Sequence, residues 1–393
     1  MNEAVVLRGA RVVEPGVGVG PPTSVVLEGE RVAALGEGAG ERAGRVVDLD
    51  GLWLTPGLID IQVNGAAGHD TTDDPSSIWA VGEAIAATGV TAFLPTIVTA
   101  PEGRIDEAIR IVAAGPPPGY RGAAVLGLHL EGPFLSPKRH GAHDQAFLRA
   151  PDRDFAAGWS RDAGVAIVTI APELPGSLDL IRELTARGVI VSIGHSNAKL
   201  DEARAGIDAG ARYATHLFNA MPPLNHRDPG IAAAVLADDR VTVGMIPDTI
   251  HVDLTVVDLA YRIAGPDRFS IVTDAMGALG MPFGTFQLGG REVTVDETGC
   301  RLPDGLLAGS NLRLDVGVQN LAAATGRGVE AAVAAATTVP ARLLGLADRG
   351  RITPGARADL TIVTPEFGAA GTIVGGRVAW TSQYLEQQVA AWA

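Results

Sequence analysis

Eight short apolar runs recur through the middle of this chain, each separated from the next by a stretch that reads as helix or loop. They are LIDIQV (58–63), VTAFLPTIV (90–98), AAVLGLHL (123–130), AIVTIA (166–171), VIVSIG (189–194), YATHLF (213–218), VTVGMI (241–246) and FSIVTD (269–274). Continuous apolar runs of this length suit strands covered on both faces, as in parallel sheets. Between them, LDLIRELTARG, Leu200 to Gly210 and Leu254 to Gly265 have helical spacing with a glycine just past the last turn. Eight strands alternating with helices over about 290 residues predict an α/β fold, a (β/α)8 TIM-type barrel. An open doubly wound sheet is the alternative, weakened because no GxGxxG follows the first central strand.

The two ends of the chain have a different character. AVVLRGARVV, TSVVLEGERVAAL and GRVVDLDGLWL open it, and ADLTIVTP and GTIVGGRVAW close it. Short β-branched runs divided by glycine and charge are the hairpin pattern. They predict a small β-sandwich domain built from residues 1–56 and 350–393, with the barrel over 57–349. A β-hairpin insertion is expected near 285–309. GVGVG at 16–20 opens no helix and follows no parallel strand, so it is not read as a phosphate loop.

Composition excludes some partners. The net charge is −14, from 45 acids against 31 bases, which repels nucleic acid and anionic membranes. Cys300 is the single cysteine, so no internal disulfide forms, and no role is assigned to it. MNEAVVLRGA lacks the basic and apolar regions of a secretion signal. A soluble cytoplasmic protein is the expectation.

In a barrel, chemistry gathers at the C-terminal ends of the strands. Strand one ends in Gln62 and Asn64, strand three in Glu131, strand five in His195 and strand eight in Asp274, while strand six carries His216. The 21 residues from His195 to His216 span one helix and one strand. That spacing brings both imidazoles to one rim. One carboxylate and two imidazoles match a catalytic metal site with an open position. Asp274 is placed to act as general acid/base. Strand one has no His-x-His pair, and strand four ends Ala171-Pro172-Glu173 without a lysine. A single divalent ion on Glu131, His195 and His216 is therefore expected. Zinc is the first candidate, and Fe, Mn, Co or Ni also tolerate these ligands.

The stretches PGLIDIQVNG, HLEGPFLSPKRHGAHD, GHSNA, THLFNAMPPLNHRDPG, IVTDAM, LLAGSNLRLD and GRITPGARADL occur in order along nearly the whole chain. In this the sequence resembles the N-acetylglucosamine-6-phosphate deacetylase family of the amidohydrolase superfamily. The resemblance implies hydrolysis of the acetamide of an amino sugar 6-phosphate, with Glu131, His195 and His216 on the metal and Asp274 as acid/base. It also implies substrate contacts from Ala142, His143, Asn219, Ala220, Arg227, His251, Leu307, Ala308 and Gly309, and a homodimer whose neighbouring subunit shares in the phosphate site. Within that frame His143 is expected to donate to the developing oxyanion, and Arg227 and His251 to meet the phosphate. Within the Lys138–Asp144 loop, His143 is expected to face the substrate and His140 to face away. Three alternatives stay open: the galactosamine epimer, a cyclic-amide or amino-acid amidohydrolase, and an inactive sugar-phosphate sensor.

Overall fold

The computed structural model describes residues 4–41 and 44–389. All eight apolar runs form strands: Leu58–Val63, Val90–Val98, Leu128–Glu131, Val165–Ile170, Ile190–Ile193, Tyr213–Ala214, Thr242–Met245 and Phe269–Ile271. They pair in that order and every pairing is parallel. The third run is divided. A short strand at Ala124–Val125 precedes Leu128–Glu131, and Gly127 between them has φ 124°. A Cβ at Gly127 would lie 2.8 Å from the Gly164 carbonyl, so only glycine lets the neighbouring strand approach.

The ring closes at its C-terminal rim. Val63 bridges Ala275, and the Asp274 amide donates to the Gln62 carbonyl at 3.0 Å. The closure sets the end of strand eight beside the end of strand one. The intervening helices Ser177–Ala186, Leu200–Ala209 and Leu254–Ala264 lie where their spacing predicts. Leu180, Ile181 and Leu184 of the first are fully buried, the stripe that a 3.6-residue period turns toward the sheet. Among the described residues no helix is long and apolar enough to cross a membrane.

Both ends of the chain enter one eight-stranded sheet. Val5–Glu14 pairs antiparallel with Gly18–Glu28 on one side, and parallel with Arg45–Asp48 and Trp53–Pro56 on the other. Trp53–Pro56 then pairs with Leu360–Val363, which continues to Ala369–Val374 and Arg377–Thr381. Leu7, Val25, Leu54, Leu360, Ile362 and Ile373 share one core. This unit is pinned to the barrel by Thr361 Oγ1, which donates to the Gly89 carbonyl, and Thr372 Oγ1, which donates to the Ala86 carbonyl, each at 2.6 Å. Gly89 has φ 84°, and a Cβ there would lie 2.7 Å from the Thr361 methyl. The insertion expected as a hairpin is a three-stranded meander, Gly284–Leu288, Arg291–Asp296 and Gly299–Arg301.

One carboxyl lies inside the barrel below the rim. Asp60 Oδ2 accepts from Thr273 Oγ1 at 2.6 Å, and burial pushes its pKa up to about 7. A carboxyl raised in the folded state holds its proton more tightly there than in the unfolded chain. Its stabilising contribution is full below the unfolded value near 4 and is lost as pH rises through about 7. Three pH units bound that loss at roughly 4 kcal/mol. In metal-free protein, Asp60→Asn is expected to flatten the fall in unfolding free energy between pH 4 and 8. Denaturant titrations that decline equally in parent and variant would count against it.

Candidate active site

The strand ends bring four side chains to one point of the rim. Leu128–Glu131 ends on Glu131, and Gly132–Pro133, joined by a cis peptide, follows it directly. His195 and Asp274 lie two and three residues past the ends of their strands at Ile193 and Ile271. His216, expected within strand six, also lies beyond it, two residues after Ala214 in the following turn. His195, His216 and Asp274 have φ of 47°, 27° and 52°. That region is sparsely populated by non-glycine residues, and such strain gathers where side chains are held for function. Here it releases the three side chains from strand alternation and turns them to the rim.

Their atoms converge. Glu131 Oε1 lies 3.1 Å from His195 Nε2 and 3.0 Å from His216 Nε2, and the two Nε2 atoms are 3.1 Å apart. Tetrahedral ligands about 2.0–2.1 Å from a zinc ion lie roughly 3.3 Å from one another. The donor set therefore fits one divalent ion. His195 Nδ1 donates to the Arg139 carbonyl at 2.9 Å, which leaves the Nε2 lone pair free for a metal. Burial opposes ionisation of Glu131, but the two imidazoles outweigh it and hold the carboxylate well below its usual range. The GHSNA loop that carries His195 is braced by Glu173, which accepts from Ser196 Oγ and from the Asn197 amide, both at 2.7 Å.

Strand one supplies amides instead of ligands. Gln62 Nε2 donates to Glu131 Oε1 at 3.3 Å and to Asp274 Oδ1 at 3.1 Å, and Asn64 Nδ2 donates to Asp274 Oδ1 at 2.7 Å. Asp60, Gln62 and Asn64 alternate along the strand, so all three face inward. Burial, and then the charge of Glu131, raises the Asp274 carboxyl above its ordinary value, while His216, His251 and Asn64 pull the other way. A raised, hydrogen-bonded carboxyl is the property a general acid/base needs near neutral pH.

His143 is buried against this cluster, its ring edge-on to His195 with centroids 4.4 Å apart. The Thr99 backbone N–H donates to His143 Nδ1 at 3.1 Å. An amide can only donate, so Nδ1 accepts and the proton of the neutral ring sits on Nε2. Burial, then the neighbouring His195, keeps the ring neutral by holding its pKa well below the usual value. The result is a neutral N–H donor.

The cleft over these groups measures about 500 Å³. Of the contacts implied by the resemblance, Ala142, His143, Asn219, Ala220, His251, Leu307 and Gly309 line it. Ala308 does not and is buried behind the wall. Arg227 sits in the exposed 223–228 stretch, outside the lining. His140, expected to face away, lines the cleft and bonds Gln145 through Nε2. Lys138, Arg139 and Arg301 also line it. Sequence reasoning missed these cations. The basic run Lys138-Arg139-His140 was the available signal for two of them, and Arg301 gave none, because its place depends on the meander folding over the rim.

Residues 53–379 match the model of the amidohydrolase family. The chain belongs to the amidohydrolase family. Among its relatives this amidohydrolase is 40% identical to the human N-acetylglucosamine-6-phosphate deacetylase over 359 residues, covering 86% of each chain. It is 38% identical to that of Lysinibacillus sphaericus over 84% of this chain and 86% of the relative. A mutant of the Mycobacterium smegmatis N-acetyl-D-glucosamine-6-phosphate deacetylase, solved in complex with N-acetyl-D-glucosamine-6-phosphate, superposes with a TM-score of 0.88. That match has 33% identity and covers 97% of this chain and 100% of the other. The Pasteurella multocida deacetylase gives 0.89 at 30% identity, over 96% and 100%.

Proposed function

We propose that this amidohydrolase hydrolyses the acetamide of N-acetyl-D-glucosamine 6-phosphate to acetate and D-glucosamine 6-phosphate. The observation that carries the reading is the convergence of Glu131, His195, His216 and Asp274 on one point of a cleft that is also lined by Lys138, Arg139 and Arg301. A hydrolytic centre beneath cationic walls suits an anionic amide, in a protein whose overall charge of −14 would otherwise repel it.

Glu131, His195 and His216 hold one divalent ion per subunit, zinc as the first candidate. When bound, such an ion polarises the acetyl carbonyl and makes water acidic at neutral pH. Asp274 takes a proton from the attacking water and delivers it to the amide nitrogen, so that the C–N bond breaks as the amine departs. Gln62 and Asn64 aim the Asp274 carboxylate for both transfers. His143 Nε2–H donates to the carbonyl oxygen as charge develops on it. Asn219, Ala220, His251, Leu307 and Gly309 hold the sugar phosphate, Ala142 supports the same wall, and Ala308 packs behind it. Arg227, outside the cleft of its own subunit, serves the phosphate site of a homodimer. Val256, Leu259 and Ile263 form an exposed apolar stripe on one helix that supports such an assembly. The protein is a cytoplasmic enzyme in this reading, with residues 1–56 and 350–393 as its small β domain and 57–349 as the barrel.

Acetate release from N-acetylglucosamine 6-phosphate, its galactosamine epimer and the unphosphorylated sugar tests the proposal. The metal-loaded protein is expected to favour the first, with a large loss when the phosphate is absent. Equal rates with and without phosphate would remove the sugar-phosphate assignment. Release from none of the three would reject the substrate.

A further inference from the structure

His251 reaches the cleft from a turn organised by a residue outside the lining, Asp248. The Asp248 carboxylate makes three contacts within that turn. Oδ1 accepts from the amides of Ile250 at 2.9 Å and His251 at 2.7 Å, and Oδ2 meets His251 Nδ1 at 2.6 Å. The two side chains are only 8% and 5% exposed, so water competes little for the pairing. Thr249, between them, has φ 70°, a rare conformation for a β-branched residue. Ile250 is wedged under the meander: a Cβ on Gly299 would lie 3.0 Å from its Cγ2. Burial works to raise the Asp248 carboxyl, but the His251 ring and the two backbone amides outweigh it and hold it below its ordinary value. An ionised acceptor at 2.6 Å claims the Nδ1 proton. Nε2 is then the nitrogen that faces the cleft, on the side of Asp274, whose carboxyl responds to the charge of this ring. A carboxylate–imidazole pair of this kind fixes which ring nitrogen is presented and in what direction.

We infer that Asp248 is a positioning residue: it accepts from Nδ1–H of the His251 ring and so holds that ring, protonated on both nitrogens in the complex, with Nε2–H directed to donate to the phosphate of the substrate, and it influences binding only through that ring. The inference rests on the sugar-phosphate reading of the cleft, and it assigns Asp248 a task beyond capping its turn.

Asp248→Asn separates the two tasks. The amide oxygen still accepts from Ile250 and His251, whereas the amide NH₂ now faces Nδ1 and reverses that hydrogen bond. In the metal-loaded protein the KM for N-acetylglucosamine 6-phosphate is expected to rise about tenfold, the effect of one charged hydrogen bond, with kcat changed much less. The same substitution in a His251→Gln background is expected to add nothing. A merely structural Asp248 would give the same loss with or without the ring, and that additivity would overturn the inference. A second measurement needs no substrate. In ¹⁵N-histidine-labelled protein, the His251 ring resonances are identified by their disappearance in His251→Gln. Asp248→Asn is expected to move Nδ1 from a protonated to an unprotonated shift. Unchanged His251 resonances would overturn the inference even if the enzyme proved to act on another substrate. Absence of acetate release in the parent protein would strike the sugar-phosphate reading alone, and the ring resonances would still decide whether Asp248 locks His251.

Discussion

Glu131→Gln is expected to empty the metal centre and to lower acetate release by on the order of 10³-fold, since a bound ion supplies several kcal/mol of transition-state stabilisation. Glu131 Oε1 is the atom on which both Nε2 atoms converge, at 3.0 and 3.1 Å. It is also the charge that holds this site together. A buried carboxylate between two imidazoles makes metal binding electrically favourable, and its neutral isostere removes that charge. The substitution conserves volume at a position only 2% exposed, so packing of the barrel survives it. Metal content after dialysis and acetate release should fall together. A variant that kept a full equivalent of metal would show that the ion is held elsewhere.

Asp274→Asn is expected to leave metal content unchanged and to reduce kcat by about 10²–10⁴-fold, the usual worth of a positioned acid/base. The geometry separates it from the ligands. Asp274 Oδ1 is engaged by amide donors, Gln62 at 3.1 Å and Asn64 at 2.7 Å, and asparagine can still accept from both. What it cannot do is accept a proton from water and return it to the leaving nitrogen. The loss should therefore appear in kcat, with KM nearly constant. An effect confined to KM would make Asp274 a binding residue and return the proton transfers to another group.

The barrel was legible because its signal is local and repeated. A strand covered on both faces is apolar at most positions, and the six residues Leu58–Val63 are all buried, Asp60 and Gln62 included, as are the nine of Val90–Val98. The convergence of Glu131, His195 and His216 was legible for the same reason: once strand ends are located, the polar residues that follow them are few. His216 shows where the method stops. Its strand ends at Ala214, and a backbone at φ 27° turns the side chain inward, a conformation that no residue preference announces. His140 shows the same limit, since whether a loop histidine faces the cleft depends on how the loop folds back on Gln145.

By itself the sequence determined the α/β barrel with a sheet made from both chain ends, the order of the strands, and the chemical types that gather at the rim. These follow from hydrophobic periodicity and from the few residue types able to bind a metal or carry a proton. Tertiary structure alone decided which ring nitrogen each histidine presents. A Thr99 amide makes Nδ1 of His143 an acceptor, and an Arg139 carbonyl makes Nδ1 of His195 a donor. It alone decided that Gln62 and Asn64 brace the carboxylates, that Arg301 lines the cleft while Arg227 does not, and that Asp248 grips His251. The physical reason is one of range. Periodic burial is written into neighbouring residues, whereas a hydrogen bond across the barrel mouth joins groups as much as 212 positions apart, and its direction exists only after the ring has closed.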